Sequence, residues 1–453
     1  MASTLSLTRR EAVVGAAAAT LGSTLPSSLR AQTVRVRMDI ATFAQDVARL
    51  AKFENAVRTL QGHSESDPRG WLRNAHAHAR YCSVAETDPD QVHFCYFFLA
   101  WHRAYIWVTE RKIREISGDD SFSYPYWNWS TDRHIPAAFA RSGSPLANAN
   151  RDTPPRGLRD SEVGFRRDDP RLRVLGVAAL SARRFLATTA AQIPFSFGGI
   201  ARPNSGNAYD NAFPEGTPHG PVHVYVGGDM SDFETAARDP IFFAHHGNLD
   251  RLWENWRRDP AHKASEPTST AFLDHKFPFI WLDGITIHVA VRDVLDTHNL
   301  GYTYDYLDAI RPDETPAVAS AQAASETLPS IGQSKLKLPF RAEGVEDENE
   351  RKILQITDVE APEKVMTVGV YLRTPQTPPE ELGTNVGSFS ALRAGGKIAW
   401  PSKTLSFDIT AAAKKFAGQE IVVDLIPYKI RAEGVEESYP KLKYGGMAIV
   451  TEK

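Results

Sequence analysis

Two cysteines in 453 residues rule out a disulfide scaffold and any four-cysteine zinc or iron–sulfur centre. Beyond the first thirty-odd residues, no stretch approaches the ~20 consecutive apolar residues a spanning helix needs, so no membrane segment is expected in the mature form. Neither sign of charge dominates. The 52 Lys and Arg stand against 55 Asp and Glu, a formal charge of −3, which leaves no whole-chain footprint for nucleic acid or anionic membrane. Gly at 30 and Pro at 29 are too few for a fibrous or wholly disordered chain. What the chain has in quantity is histidine, 14 residues, with 9 Trp and 22 Phe. All the histidines precede residue 311, so the chemistry is expected in the first large unit.

At ~150 residues per domain the length predicts about three units, or two and an extension. Residues 1–31 read as an export signal: Thr8-Arg9-Arg10, an Ala/Val-rich run from Ala12 to Leu21, and a tolerable cleavage site after Ala31. Paired arginines before a weakly apolar run point to the twin-arginine export machinery, hence a periplasmic or secreted protein from a bacterial source; a retained Ala-rich helix is the alternative. Residues 34–310 hold helical-period segments at Ile40–Leu60, Tyr96–Ile116 and Pro240–Trp256, separated by long loops. Residues 311–335 turn to Ala, Ser, Pro, Thr and Glu without an aromatic, the composition of an exposed linker. Residues 336–453 show short alternating runs at Lys352–Thr357, Val365–Arg373, Thr404–Ile409, Glu420–Ile426 and Gly446–Thr451, which predict a C-terminal β-sandwich. The string Arg-Ala-Glu-Gly-Val-Glu occurs at Arg341–Glu346 and at Arg431–Glu436, a short match that is weak support for duplication.

Imidazole suits zinc, copper, iron and nickel, and the histidine spacing is informative. His219 and His223 are i, i+4 and leave one helix face, while Pro221 between them fits only a first helical turn, which sets His219 at or just before a helix start. His245 and His246 are adjacent and point ~100° apart, so only one of them can share a metal with a given partner. Upstream, His76, His78, His93 and His102 flank Cys82 and Cys95. His93 and His102, nine apart, would be out of phase on one helix, so His93 is expected on an approach loop and His102 inside the following helix. Two histidine-rich clusters, poor in carboxylate and thiolate, predict a pair of metals in nitrogen-dominated sites.

Val92-His93 with His102-Arg103, Tyr-Pro-Tyr-Trp-Asn-Trp at Tyr124–Trp129, His219-Gly-Pro-Val-His223 and the Arg238–Arg251 segment around His245-His246 resemble the copper-A and copper-B signatures of the tyrosinase and polyphenol oxidase family. Trp281-Leu282-Asp283 and the closing Tyr302-Thr303-Tyr304 resemble the plant-type branch of that family. The resemblance implies a mainly α catalytic domain, an antiparallel four-helix bundle with long loops holding two copper ions in a binuclear type-3 centre, and a C-terminal β-rich cover. It implies that His78, His93 and His102 hold copper A and that His219, His223 and His246 hold copper B. His78 is preferred over His76 because Cys82 stands four after it, which also implies a Cys82–His93 thioether; a Cys82–Cys95 disulfide and two free thiols remain open.

The same resemblance assigns Phe233 as a gate over copper A and Glu215 as the holder of an ordered water, with a buried packing role the alternative for Phe233. Gly220 follows the first copper-B ligand where strongly monophenol-hydroxylating relatives carry Asn, which favours diphenols over monophenols as substrates. Asp250 and Asn248 are expected to fix imidazole tautomers from behind the ligands, and Arg35 or Arg37 to stack on Tyr302 or Tyr304. His76, His134, His262, His275, His288 and His298 are expected to be structural or at the surface, and His245 to line the substrate cavity. The activity implied is oxidation of ortho-diphenols to ortho-quinones by O2, with weaker monophenol hydroxylation, latent until the C-terminal unit is displaced. A haemocyanin-like O2 carrier and a zinc hydrolase using His219 and His223 are the rivals. An oligomer is compatible with the sequence.

Overall fold

The computed structural model describes residues 34–83, 88, 90–152, 154, 156–165, 177–188, 192, 196–201, 214–311, 330–337, 350–378, 381–399, 404–428 and 438–452. The residues read as an export signal, most of those read as a linker and both copies of the repeated hexapeptide lie outside them. No helix among the described residues is long and apolar enough to cross a membrane.

Five helices frame the N-terminal unit, and local sequence explains their ends. Helix α1 (Val47–Gln61) is capped by Asp46, whose carboxylate accepts from Arg49 N at 3.0 Å. Helix α2 (Trp71–Cys82) follows Gly70, where a Cβ would lie 2.5 Å from the Ser64 carbonyl oxygen. Helix α3 (Phe98–Ser117) stops at Gly118, which takes the left-handed conformation with φ 63° that a glycine adopts without steric cost. Helix α4 (Gly220–Val226) has Pro221 in its first turn, as the His219/His223 spacing predicts. Helix α5 (Ile241–Trp256) opens after Asp239-Pro240, with Asp239 accepting from Ile241 N at 3.0 Å.

Almost every side chain of α3 from Phe98 to Arg114 is buried, so it reads as the central helix rather than an amphipathic surface one. It packs between α1 and α5. Strand β1 (Arg35–Arg37) closes the unit by pairing in parallel with β6 (Tyr302–Tyr304), which brings the two ends of this unit together. Two further strand pairs, β2 (Arg184–Ala187) with β3 (Ser196–Ile200) and β4 (Lys276–Ile280) with β5 (Thr286–Ala290), lie between them in the chain.

The C-terminal unit is built from two antiparallel sheets on one apolar core. The five-stranded sheet runs β11 (Lys397–Ala399), β10 (Thr384–Ala394), β9 (Met366–Arg373), β13 (Glu420–Pro427), β7 (Gly332–Lys337). The three-stranded sheet runs β12 (Leu405–Asp408), β8 (Arg351–Thr357), β14 (Gly446–Glu452). Leu354 and Ile356 of one sheet share a core with Val368, Val370, Leu372 and Val423 of the other.

Two strands differ from the sequence reading. Residues 332–335, read as linker, belong to β7, an edge strand whose alternate residues face solvent and so keep a polar composition. The longest strand, β10, has no alternating apolar pattern, because it serves two neighbours. Phe389 and Ala391 lie in the C-terminal core, while Leu392 is buried in the apolar core of the helical unit. The junction is also polar. Phe233 N donates to Arg393 O at 2.8 Å, Thr217 Oγ1 lies 3.1 Å from Ser388 Oγ, and Tyr428 OH donates to Ser161 Oγ at 2.6 Å.

Candidate metal centre

The six histidines singled out from the sequence converge. His78, His93 and His102 form one group with Cys82, and His219, His223 and His246 form another with His245, ligand atoms within each group lying within 4.8 Å of one another. The groups abut: the rings of His102 and His246 stack 4.1 Å apart at 9°, and those of His93 and His219 are 5.4 Å apart.

Each position follows from local structure. His78 and Cys82 are i, i+4 on α2, and His102 lies on the second turn of α3. His93 sits on the approach to α3, where the chain breaks helical phase. Phe94 takes a positive φ of 61°, uncommon for a residue with a side chain, and its N–H donates to Glu215 Oε1 at 2.7 Å. His219 is the residue before α4, His223 is within it, and His246 comes from the middle of α5.

The hydrogen bonds decide which nitrogen of each ring is available. Backbone carbonyls of Phe233, Phe98, Glu215 and Met230 accept from Nδ1 of His78, His102, His219 and His223 at 2.6, 2.7, 3.1 and 2.6 Å. Glu215 Oε1 lies 2.9 Å from Nδ1 of His93. A ring whose Nδ1 carries the proton presents a bare Nε2 lone pair. Nε2 of His78, His93, His102 and His219 is buried without any partner, and Nε2 of His223 and His246 lie only 3.3 Å apart. Burial drives all six rings towards the neutral form, His93 and His223 being pushed down to about 3. Buried, neutral imidazoles with orphaned nitrogens pointing at one another are what two copper ions require, and the donor set fits them.

His245 joins the second group, its ring 5.7 Å from that of His219 at 15°, with no partner on either nitrogen. His246 borders both groups, its Nε2 lying 3.3 Å from that of His223 and its ring stacking on that of His102. Phe233 is buried with its ring 4.6 Å from that of His93, tilted by 32°. Burial pushes the Glu215 carboxyl up to about 8. Cys82 and Cys95 are both buried and not joined in a disulfide; burial raises Cys82 well above the usual thiol value. His76 pairs with Glu65 at 2.7 Å on the side of α2 away from the metal ligands.

The expectation that Asp250 and Asn248 fix imidazole tautomers is corrected. Among the described residues neither bonds a histidine. Helical side chains lean towards the helix N-terminus, so Nδ1 of His102 meets the carbonyl of Phe98, four residues back, rather than a side chain four residues on. Asp250 instead joins the ends of the unit. Its oxygens accept from Arg103 Nε at 2.5 Å, Arg37 at 3.1 Å, Tyr302 OH at 2.7 Å and Tyr304 OH at 2.5 Å. Asn248 Oδ1 accepts from Arg251 Nε at 2.8 Å. Of the two candidate arginines, Arg37 is the one that stacks, 3.6 Å above the Tyr302 ring, while Arg35 bonds the Asp120 carbonyl.

Sequence reasoning missed the backbone acceptors and Phe242, whose ring lies 4.7 Å from that of His78 and 4.2 Å from that of His246. Phe242 stands one helical turn before His246, a spacing that carried the signal.

Comparison with known proteins agrees with this geometry. The common central domain of tyrosinase matches residues 68–259, and the polyphenol oxidase middle domain matches residues 266–316. Polyphenol oxidase II, chloroplastic, of Ipomoea batatas is 30% identical over 414 residues, 82% of this chain and 68% of the relative. The latent chloroplastic polyphenol oxidase of Prunus armeniaca is 31% identical over 334 residues, 69% of this chain. The matches span 53% of the Prunus armeniaca protein and 52% of a Malus domestica polyphenol oxidase, about half of each. The solved structure of latent apple tyrosinase superposes with a TM-score of 0.65 at 26% identity, covering 93% of this chain and 98% of that one. The chain belongs to the plant-type polyphenol oxidase family, built on the common central domain of tyrosinase.

Proposed function

We propose that the protein oxidises ortho-diphenols to ortho-quinones with O2 at a binuclear copper centre, hydroxylates monophenols more weakly, and is latent while its C-terminal unit covers the site. The observation that carries this reading is the convergence of six buried imidazoles from two groups, with Nδ1 of five of them engaged by acceptors. His78, His93 and His102 would hold copper A, and His219, His223 and His246 copper B. The metals would supply O2 binding and the redox change; the chain's own residues do the rest. Phe233, packed on His93, offers an apolar face against which a phenol ring is oriented. Glu215 holds His93 and, in its ionised form, would take the phenol proton through a water. Gly220 gives that water no amide partner, which favours catechols.

Two further features belong to the same reading. The Cys82 sulfur, grouped with His78, His93 and His102, would be bonded to a His93 ring carbon. The ligand-bearing helices are read as an antiparallel four-helix bundle. The paired C-terminal sheets are read as a β-sandwich lying over α4 through β10, displaced after cleavage in the linker. Residues 1–31 would direct the protein through twin-arginine export to the periplasm or outside.

The test compares catechol and monophenol oxidation by the copper-loaded chain before and after limited proteolysis of the linker. Catechol turnover that rises on cleavage and exceeds monophenol turnover is expected. Cleaved protein that binds O2 but oxidises no catechol would leave an O2 carrier in place of an enzyme.

A further inference from the structure

On the side of α2 away from the metal ligands lies a second cavity, of about 470 Å3, between α2, α3 and the β4–β5 pair. Helix periodicity produces it. Arg73, Ala77 and Arg80 at i, i+4 and i+7 line it, while His78 and Cys82, a different face of the same helix, turn to the metal groups. The basic side chains on its wall are Arg73, His76, Arg80 and Lys112, and among the described residues no carboxylate lines it.

Lys112 reaches it from the buried side of α3 and is only 4% exposed. Its ammonium has three donors, yet its hydrogen bond goes to one acceptor, Asn74 Oδ1 at 2.9 Å. Asn74 is held in that orientation by its own bond to Thr109 at 3.0 Å. The carboxylates nearby are engaged elsewhere: Glu65 pairs with His76 at 2.7 Å and Asp90 with Arg80 at 2.8 Å, both at the exposed rim. Arg73 and Lys112 have no carboxylate within ion-pair range among the described residues. Burial and the proximity of Arg73 push the Lys112 amine down to about 7. A buried amine beside a second cation is costly to maintain, and an incoming anion relieves both.

Apolar surface completes the lining, with Phe279 and Ile280 from β4 and the ring of Tyr81, over which the Arg80 guanidinium lies at 5.5 Å. We propose that this cavity is a binding site for an amphipathic carboxylate, its charge received by Lys112 and Arg73 and its hydrocarbon body laid against Phe279, Ile280 and Tyr81. The charge-assisted bonds fix the head group and the apolar wall selects against a bare inorganic anion. The site lies outside the metal centre and does not rest on the copper reading.

The test is isothermal titration calorimetry on the full, copper-loaded chain with octanoate, 3-phenylpropanoate, their neutral amides and inorganic phosphate. Saturable binding of at least one carboxylate is expected, with neither amide bound. Octanoate alone would mark an aliphatic source, 3-phenylpropanoate alone an aromatic one. Arg73→Gln and Lys112→Met should each weaken that binding by about tenfold or more, the worth of one lost charge-assisted contact. Arg73 is partly exposed and makes no ion pair among the described residues, so its variant gives the answer even where Lys112→Met fails to fold. Binding of phosphate with neither carboxylate, no saturable binding at all, or carboxylate binding that the variants leave unchanged would overturn the proposal.

Discussion

Gly220 lies directly against Ser390 of the C-terminal unit: a Cβ on Gly220 would stand 2.9 Å from the Ser390 Cβ and 3.2 Å from its Oγ. A Cβ is fixed to its backbone, so a larger residue at 220 must displace β10. The position proposed to bear on monophenol activity therefore also touches the C-terminal unit. Gly220→Asn in the uncleaved chain should loosen the cover by about 1–3 kcal/mol, the usual cost of overpacking. That is roughly a ten- to hundredfold change in the open fraction. The check is the ratio of catechol turnover in uncleaved to cleaved protein, which should rise in the variant and fall back when Ser390→Gly is added. A ratio equal to that of the unaltered chain would exclude the coupling.

Cys82 sits within the copper-A group while Cys95 faces the carbonyls of Gln91 and Val92. A Cys82–His93 thioether survives reductant, whereas a disulfide does not. After denaturation, reduction and alkylation, mass spectrometry of the copper-exposed protein should find Cys95 alone modified and a peptide joining Cys82 to His93. Alkylation at both cysteines would mean that no thioether had formed.

Glu215→Gln keeps the shape of the side chain but removes the carboxylate beside His93. Partners behind a metal ligand are typically worth 10- to 100-fold in metal affinity or activity, and a loss of about that size is expected in copper affinity measured by chelator competition. Unchanged affinity would show that Phe94 and the surrounding rings position His93 without help.

Arg37 bridges Glu110 at 2.9 Å and Asp250 at 3.1 Å, and all three are buried. Arg37→Met breaks both pairs and leaves Asp250 to Arg103 and Glu110 to Arg114, so two buried carboxylates share one cation fewer, a change that costs about 3 kcal/mol, the low end for breaking a buried pair. Tyr302→Phe removes one donor to an Asp250 that keeps Arg37, Arg103 and Tyr304, and should cost only about 1.5 kcal/mol, the low end for a bond to a charged group. Chemical denaturation of the two variants should separate them in that order; equal losses would contradict a charge-based role for Arg37.

The six converging histidines and their elements were legible because helical periodicity and Pro221 constrain them locally. The breaks at His93 and at His219, and the helices around them, fall where those patterns require. What the sequence hid depends on contacts between distant segments. Nδ1 of His78 is held by the carbonyl of Phe233, 155 residues away, and a carbonyl leaves no mark in side-chain identity. Strand β10 was hidden because a strand buried on both sides, in two different cores, has no alternating pattern. Asp250 was misread for a related reason: its partners Arg37, Arg103, Tyr302 and Tyr304 come from three separate parts of the chain.

Metal content tests the central claim most directly. The purified, metal-loaded chain, measured by elemental mass spectrometry, should hold roughly two coppers, in keeping with two imidazole-rich groups. Removing His102 and His246 together should abolish copper binding at both. A single zinc per chain, retained when His78, His93 and His102 are replaced, would contradict the binuclear copper centre.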